Sequence, residues 1–263
     1  MTEESHLIVN KEGEICTIMI NNPERRNALT PACLTKISQT FEELSQDETT
    51  RVVIMRGTGE RAFSAGADIT KMPAKVSGES PDGYTDPAVV SEAVQRYPCP
   101  TIAMLNGYTL GAGCILAMAC DIRIAATNVS MGIPTSRMGL VAGYPVFRRF
   151  LTVLGYSTAL EMFLTGRFYE GRECLEMGMV NHLVESDRLE SFAYEMAKEI
   201  LACAPLSLRG SKFILNKIAG QSAVSEEDLE TFQSLRLQTV QSEDHKEAKR
   251  AFMEKRKARF KGR

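Results

Sequence analysis

Apolar residues in the first half of the chain come in short dense runs separated by polar stretches. LIVN (7–10) and EICTIMIN (14–21) flank a polar Lys-Glu-Gly, which predicts a β-hairpin. The polar loop NNPERRNAL follows, and Thr30-Pro31 then supplies an N-cap and a proline suited to the first helical position. Leu34, Ile37, Phe41 and Leu44 recur at helical spacing, so 31–46 reads as an amphipathic helix. RVVIMRG (51–57) reads as a buried strand running into the small-residue loop TGERAFSAGAD. Residues 73–87 are rich in Pro, Gly and Ser and predict a mobile loop longer than a simple connection. DPAVVSEAVQRYP predicts a helix ended by Pro98, PTIAMLNG (100–107) a second buried strand, LGAGCILAMAC a short buried helix, and DIRIAAT (121–127) another strand.

The second half reads as mainly helical. Helices are expected at 145–154, at 157–165 closed by Gly166, and at 170–177 closed by Gly178, with a short strand at 180–184. Asp187 with Glu190 resembles a capping box opening 188–202, and Ser225 with Asp228 one opening 226–241. The tail from His245 to Arg263 reads as a basic amphipathic helix containing Phe252 and Phe260, and charge alone favours a solvated face for it.

Composition narrows the classes. The chain has 263 residues, enough for one large domain or a domain with an appendage. Lys plus Arg is 31 and Asp plus Glu 33, a net charge of -2 that makes no electrostatic case for nucleic acid or an acidic membrane. No apolar run has membrane length and the N-terminus carries no signal-peptide pattern, so a soluble cytoplasmic protein is expected. The seven cysteines are scattered without a CxxC, as expected of small core residues in a reduced compartment. The three histidines lie far apart, and no metal site is expected.

Candidate chemistry sits in two similar segments, VVIMRGTGERAFSAGAD and TIAMLNGYTLGAGCILA. Each is a buried strand, a loop of small residues and an expected helix. A strand delivering such a turn into a helix leaves backbone N–H groups unpaired at the helix start, where the helix dipole adds positive potential. Two such turns from adjacent strands can converge on one oxygen and stabilise an enolate or a tetrahedral oxyanion. Close packing of a buried helix explains Gly111, Ala112 and Gly113 about equally well. A dinucleotide fingerprint does not fit, because Leu116 stands where its third glycine should be.

The chain resembles the enoyl-CoA hydratase/isomerase (crotonase) superfamily over nearly its whole length. The motifs are NNPERRNALT, RVVIMRGTGERAFSAGADITKM, PTIAMLNGYTLGAGCILAMACDIRIAA, FLTGRFYEGRECLEMGMVNHLVE and AFMEKRKARFKGR. The resemblance implies an α/β fold, a crotonase-like β-β-α spiral core over 1–195 that binds acyl-CoA. It further implies a C-terminal helical region, 196–263, that builds homotrimers, often paired into hexamers. It implies an acyl-CoA thioester as substrate, with no cofactor beyond that coenzyme A. The family's two oxyanion N–H groups fall on Ala67 and Ala112. The implied CoA-binding set is Arg25, Arg26, Ala28, Ala65, Ala67, Asp68, Ile69, Phe252 and Lys255; the last two commonly reach the CoA of a neighbouring subunit.

The sequence departs from the family at two positions. Hydratases of this family carry one catalytic glutamate where this chain has Ile115 and a second where it has Thr135. Neither replacement can act as a general acid or base near neutral pH, which makes hydration by the two-glutamate route and the usual isomerisation doubtful. Decarboxylation leans on the oxyanion pair more than on a base. Decarboxylases of this fold have a similar C-terminal pattern, although they carry histidine where this chain has Ala67. A thioester hydrolase would have to draw on Ser64, Ser136 or Cys114, and a non-catalytic acyl-CoA binder is a further alternative. Tyr144 is a candidate proton donor, with packing the more ordinary role. Arg137 is a candidate partner for an acyl carboxylate, with a surface salt bridge the more ordinary role. Asp68, Asp82, Asp86 and Glu92 are candidate displaced carboxylates, and Asp68 is expected instead to cap a helix start.

Overall fold

The structure is a computed structural model describing residues 6–71, 85–203, 205–220, 240–256 and 258–259, with isolated positions between 230 and 237. The expected tip of the 73–87 loop, Asp82, the Ser225–Asp228 capping box with most of helix 226–241, and Phe260 lie outside the described residues.

The chain opens with the hairpin β1 (Leu7–Glu12) and β2 (Ile15–Ile20), followed by α1 (Pro31–Ser45), whose Thr30 side chain accepts from the Cys33 amide. Three similar units follow. β3 (Val52–Gly57) and β4 (Ala62–Ser64) precede α2 (Pro87–Arg96); β5 (Thr101–Leu105) and β6 (Tyr108–Leu110) precede α3 (Ala112–Ala119); β7 (Ile122–Ala126) and β8 (Ser130–Gly132) precede α4 (Tyr144–Thr165). In each unit the first strand joins one sheet and the second joins another. Among the described residues, one sheet therefore runs β1-β2-β3-β5-β7-β10 and the other β4-β6-β8-β9. Here β9 is Tyr169–Glu170 and β10 is His182–Val184, and they flank α5 (Gly171–Glu176). From β2 to β10 every pairing in the larger sheet is parallel.

The central strands are apolar on both faces, as parallel strands covered on both sides must be. Val53, Met55, Ala103 and Leu105 point into the core shared with α1 to α4, and Ile54, Ile102, Met104 and Ile124 into a second core. That second core is closed by Leu189, Ala193 and Ala197 of α6 (Leu189–Leu201). This helix runs straight through the expected boundary at 195/196.

Several local expectations change. The helices expected at 145–154 and 157–165 form one element, α4, kinked at Gly155, whose backbone (φ 73°, ψ 171°) is non-helical. The Asp187/Glu190 capping box does not form. A 3-10 turn at Ser186–Arg188 leads directly into α6, and Arg188, the residue in the capping position, has helical rather than extended backbone. The box appears instead at α5, between Glu170 and Glu173. After α7 (Pro205–Gly220), the basic tail helix is shorter than expected. It spans α8 (Glu243–Met253), and Lys255 beyond it is left-handed at φ 50°. No helix among the described residues is long and apolar enough to cross a membrane.

Candidate active site

The bend after β4 and the bend between β6 and α3 lie against each other. β4 and β6 pair in parallel, which brings the ends of both strands to the same place. Gly66 holds φ +99°; a Cβ there would stand 2.8 Å from the Leu110 carbonyl oxygen and 3.4 Å from the Ala112 amide nitrogen. Only glycine meets both demands, the left-handed backbone and the close approach.

The hydrogen bonds of the first bend engage every amide around Ala67 except its own. Ala65 N–H donates to Arg26 O (2.9 Å), Gly66 N–H to Ser64 Oγ (3.1 Å), and Asp68 N–H to Leu29 O (2.8 Å). Leu29 N–H in turn donates to Gly66 O (2.8 Å). Ala67 N–H donates to no acceptor among the described residues. In the second bend, Gly111 N–H donates to Gly132 O (2.9 Å) and Ile115 N–H to Gly111 O (3.0 Å). Ala112 N–H, at the first position of α3, likewise has no acceptor among the described residues. An amide with nowhere to donate is costly when buried, and Ala112 is only 6 % exposed. The two unused donors thus sit on neighbouring bends, one of them at the positive end of a helix.

The opposite end of α3 is held by two arginines that sequence reasoning missed. Arg149 Nε donates to Met118 O (2.6 Å) and its Nη2 to Cys120 O (2.8 Å); Arg123 Nη1 donates to Cys120 O (2.7 Å). Burial lowers the Arg123 guanidinium to about 10, yet it stays cationic near neutral pH. Their only early signal was the presence of arginines inside two otherwise apolar runs.

Around the first bend, the carboxylate of Asp68 is buried and meets Arg25 Nη1 at 3.0 Å. Asp68 also accepts from the amide (3.1 Å) and hydroxyl (2.6 Å) of Thr70. Burial pushes this carboxyl up, but the Thr70 hydrogen bonds and the Arg25 charge outweigh it and leave it below its ordinary value. Asp68 therefore braces the turn at 68–71; the helix start it was expected to cap would run into residues 72–84, which lie outside the described residues. Arg26 is left-handed (φ 51°) and stands 5.0 Å over the Tyr108 ring. Buried Asn27 ties this segment to the β3–β4 loop through Thr58 O (2.9 Å) and to the start of β4 through Ala62 O (2.7 Å). Beside it lies a cavity of about 430 Å³ lined by Glu24, Arg26, Asn27, Thr58, Glu60 and Arg61. Ala28, Ala65 and Ile69 are half-buried along the same bend.

The other candidates lie as follows. Ile115 is buried near the start of α3, and Thr135 is half-buried just before a 3-10 turn at Ser136–Met138. Tyr144 is the half-buried first residue of α4. Among the described residues Arg137 has no carboxylate partner of the kind expected; its Nε donates to Thr165 O (3.0 Å) and its guanidinium lies 6.0 Å over Phe168. Asp86 caps α2 through the Ala88 amide, and Glu92 pairs with Arg96, so both carboxylates have structural partners. Ser64 is spent on the Gly66 amide, and burial pushes the Cys114 thiol far up, so neither is a poised nucleophile. Phe252 and Lys255, at the end of α8, are both exposed, and the chain does not bury either against the Ala67 bend. α8 instead packs on the 136–138 turn, where His245 Nδ1 bonds Met138 O at 3.1 Å.

The family model for enoyl-CoA hydratase/isomerase matches residues 10–263. The chain belongs to that family. A short-chain-enoyl-CoA hydratase of Clostridium acetobutylicum is 33 % identical over 259 residues, covering 97 % of each chain. A 2,3-dehydroadipyl-CoA hydratase of Escherichia coli is 31 % identical, covering 98 % of this chain and all of the relative. Among solved structures, a methylmalonyl-CoA decarboxylase in complex with 2-nitronate-propionyl-CoA superposes with a TM-score of 0.88 at 28 % identity, covering 98 % of this chain and 99 % of that one. A carnitinyl-CoA hydratase from Mycobacterium avium gives 0.84 at 31 % identity, covering 99 % and 100 %. The crotonase fold expected from the motifs is the fold observed.

Proposed function

We propose that this crotonase-family chain acts on an acyl-CoA thioester whose carbonyl oxygen is held between the N–H groups of Ala67 and Ala112. The observation that carries the reading is the pair of unused amides on touching bends. The cavity beside Arg26 and Asn27 would take the nucleotide end of the coenzyme, with Arg25, Ala28, Ala65, Asp68 and Ile69 along its path. Phe252 and Lys255, exposed as they are, would serve a neighbouring subunit's CoA in a trimer or hexamer. Exposed Leu151, Tyr156, Leu160 and Leu164 on α4 favour such assembly.

The reaction proposed is loss of CO₂ from a 2-carboxyacyl-CoA. The bond between the α-carbon and the carboxylate breaks, its electron pair enters the thioester as an enolate, and CO₂ departs. The enolate then takes a proton at the α-carbon, with Tyr144 as the proposed donor. No protein base is needed, which suits a site with Ile115 and Thr135 in place of carboxylates. The likeness to a methylmalonyl-CoA decarboxylase supports the choice.

The test compares methylmalonyl-CoA with crotonyl-CoA in the wild type and in Ala112→Pro. Proline at the first helical position keeps the fold and removes one N–H. Decarboxylation should fall about 10²–10³-fold in the variant. Turnover unaffected in a folded variant, or efficient hydration of crotonyl-CoA by the wild type, would overturn the reading.

A further inference from the structure

A second concave site lies away from both bends, where α2, α4 and α7 meet. Its volume is about 410 Å³, and its wall is strongly basic. Arg148, Arg149, Arg209, Lys212 and Lys217 all line it. Lys212 pairs with Asp121 at 2.6 Å, and Arg96 at the rim pairs with Glu92 at 3.4 Å. For Arg148, Arg149, Arg209 and Lys217, no carboxylate lies within ion-pair distance among the described residues. A solvated basic face would explain scattered charges, but these converge on one concavity, where like charges repel.

One further feature separates this wall from an ordinary surface. Arg209 Nε is buried without an acceptor among the described residues. Buried donors are normally satisfied, so one beside unpaired guanidinium groups marks a missing acceptor. Every unmet group named here is a donor or a cation, and arginine forks match phosphate oxygens.

We infer that this cavity binds a small diphosphate-type anion, either free or as part of a nucleotide, at a site distinct from the proposed acyl-CoA site. The guanidinium groups of Arg148 and Arg209 take the charge. Arg149 stays committed to the carbonyls ending α3 and contributes through its charge alone.

The test is calorimetric titration of the full-length protein, in its own oligomeric state and at low salt, with inorganic pyrophosphate and separately with ADP. One saturable site per chain is expected. Tighter binding of ADP assigns a nucleotide; equal binding assigns the diphosphate alone. Arg148→Gln with Arg209→Gln should weaken binding at least about 10-fold, since charge-assisted bonds are the strong ones. Arg148→Gln alone should weaken it about 3–10-fold, and keeps the test decisive if the double variant fails to fold. Saturating coenzyme A should leave pyrophosphate binding intact. Absence of saturable binding, undiminished binding in the variants, or displacement by coenzyme A would each overturn the inference. Displacement would make the cavity part of the acyl-CoA site without bearing on the role of Ala67 and Ala112.

Discussion

The bend at Ala67 and the bend at Ala112 present the same thing, an amide with no internal acceptor, but are held by opposite means. The first is braced by polar side chains: Ser64 on the Gly66 amide, Thr70 and Arg25 on Asp68, and Asn27 on the flanking carbonyls. The second has almost no polar support. Every residue of α3 is buried, and the helix is wedged against the first bend at Gly113, where a Cβ would stand 2.6 Å from the Ser64 carbonyl oxygen. A hydrogen-bonded brace responds to pH and to single polar substitutions. A packed one ignores pH and fails sterically.

The largest effect expected concerns what the packed bend lacks. Ile115→Glu combined with Thr135→Glu supplies the two carboxyls that the family resemblance leads one to expect at these positions. Hydration of crotonyl-CoA should rise by about 10²–10⁴ for each productive group, read from loss of enoyl absorbance. No gain in a folded variant would mean that these positions do not face the proposed oxyanion site. Next comes Gly113→Ala, which drives a methyl group into Ser64 and forces the bends apart. Turnover should fall about 10²–10³-fold, with a stability loss of about 1–3 kcal/mol in denaturant titration. An active, stable variant would show that the contact between the bends is dispensable.

The polar bend should yield smaller, pH-linked effects. The Asp68 carboxyl lies below its ordinary value in the folded chain. Its contribution is therefore complete above the unfolded value, about pH 3.9, and is lost as the pH falls through the lower folded value. Asp68→Asn should cost about 1–2 kcal/mol at neutral pH and flatten the acid limb of the stability curve below about pH 4. An unchanged acid limb would remove Asp68 from the brace. The smallest effect belongs to Arg25→Gln. Arg25 is largely exposed, so its pair with Asp68 should be worth less than about 1 kcal/mol and should weaken further with added salt.

Much of this architecture was legible before any coordinates. The hairpin, α1 with its Thr30 cap, and the buried strands β3, β5 and β7 follow from dense apolar runs and clear helix signals. Small residues at two junctions after buried strands singled out the two bends, and the family motifs pointed to Ala67 and Ala112 within them, the residues proposed as oxyanion donors. The smaller sheet was not legible, because β4, β6 and β8 are three residues each, too short to show alternation. Nor was the bracing of the first bend: Arg25 and Asp68 lie 43 residues apart, and only the parallel pairing that returns the chain beside itself joins them. The failed capping box at Asp187 has a local cause, since a 3-10 turn there took the backbone that the cap required.

The most direct test of the central claim is a crystal structure with a non-hydrolysable acyl-CoA or enolate analogue bound. The account predicts the thioester or enolate oxygen about 2.7–3.1 Å from both Ala67 N and Ala112 N. An oxygen bound to only one of these amides, or held elsewhere in the chain, would contradict it.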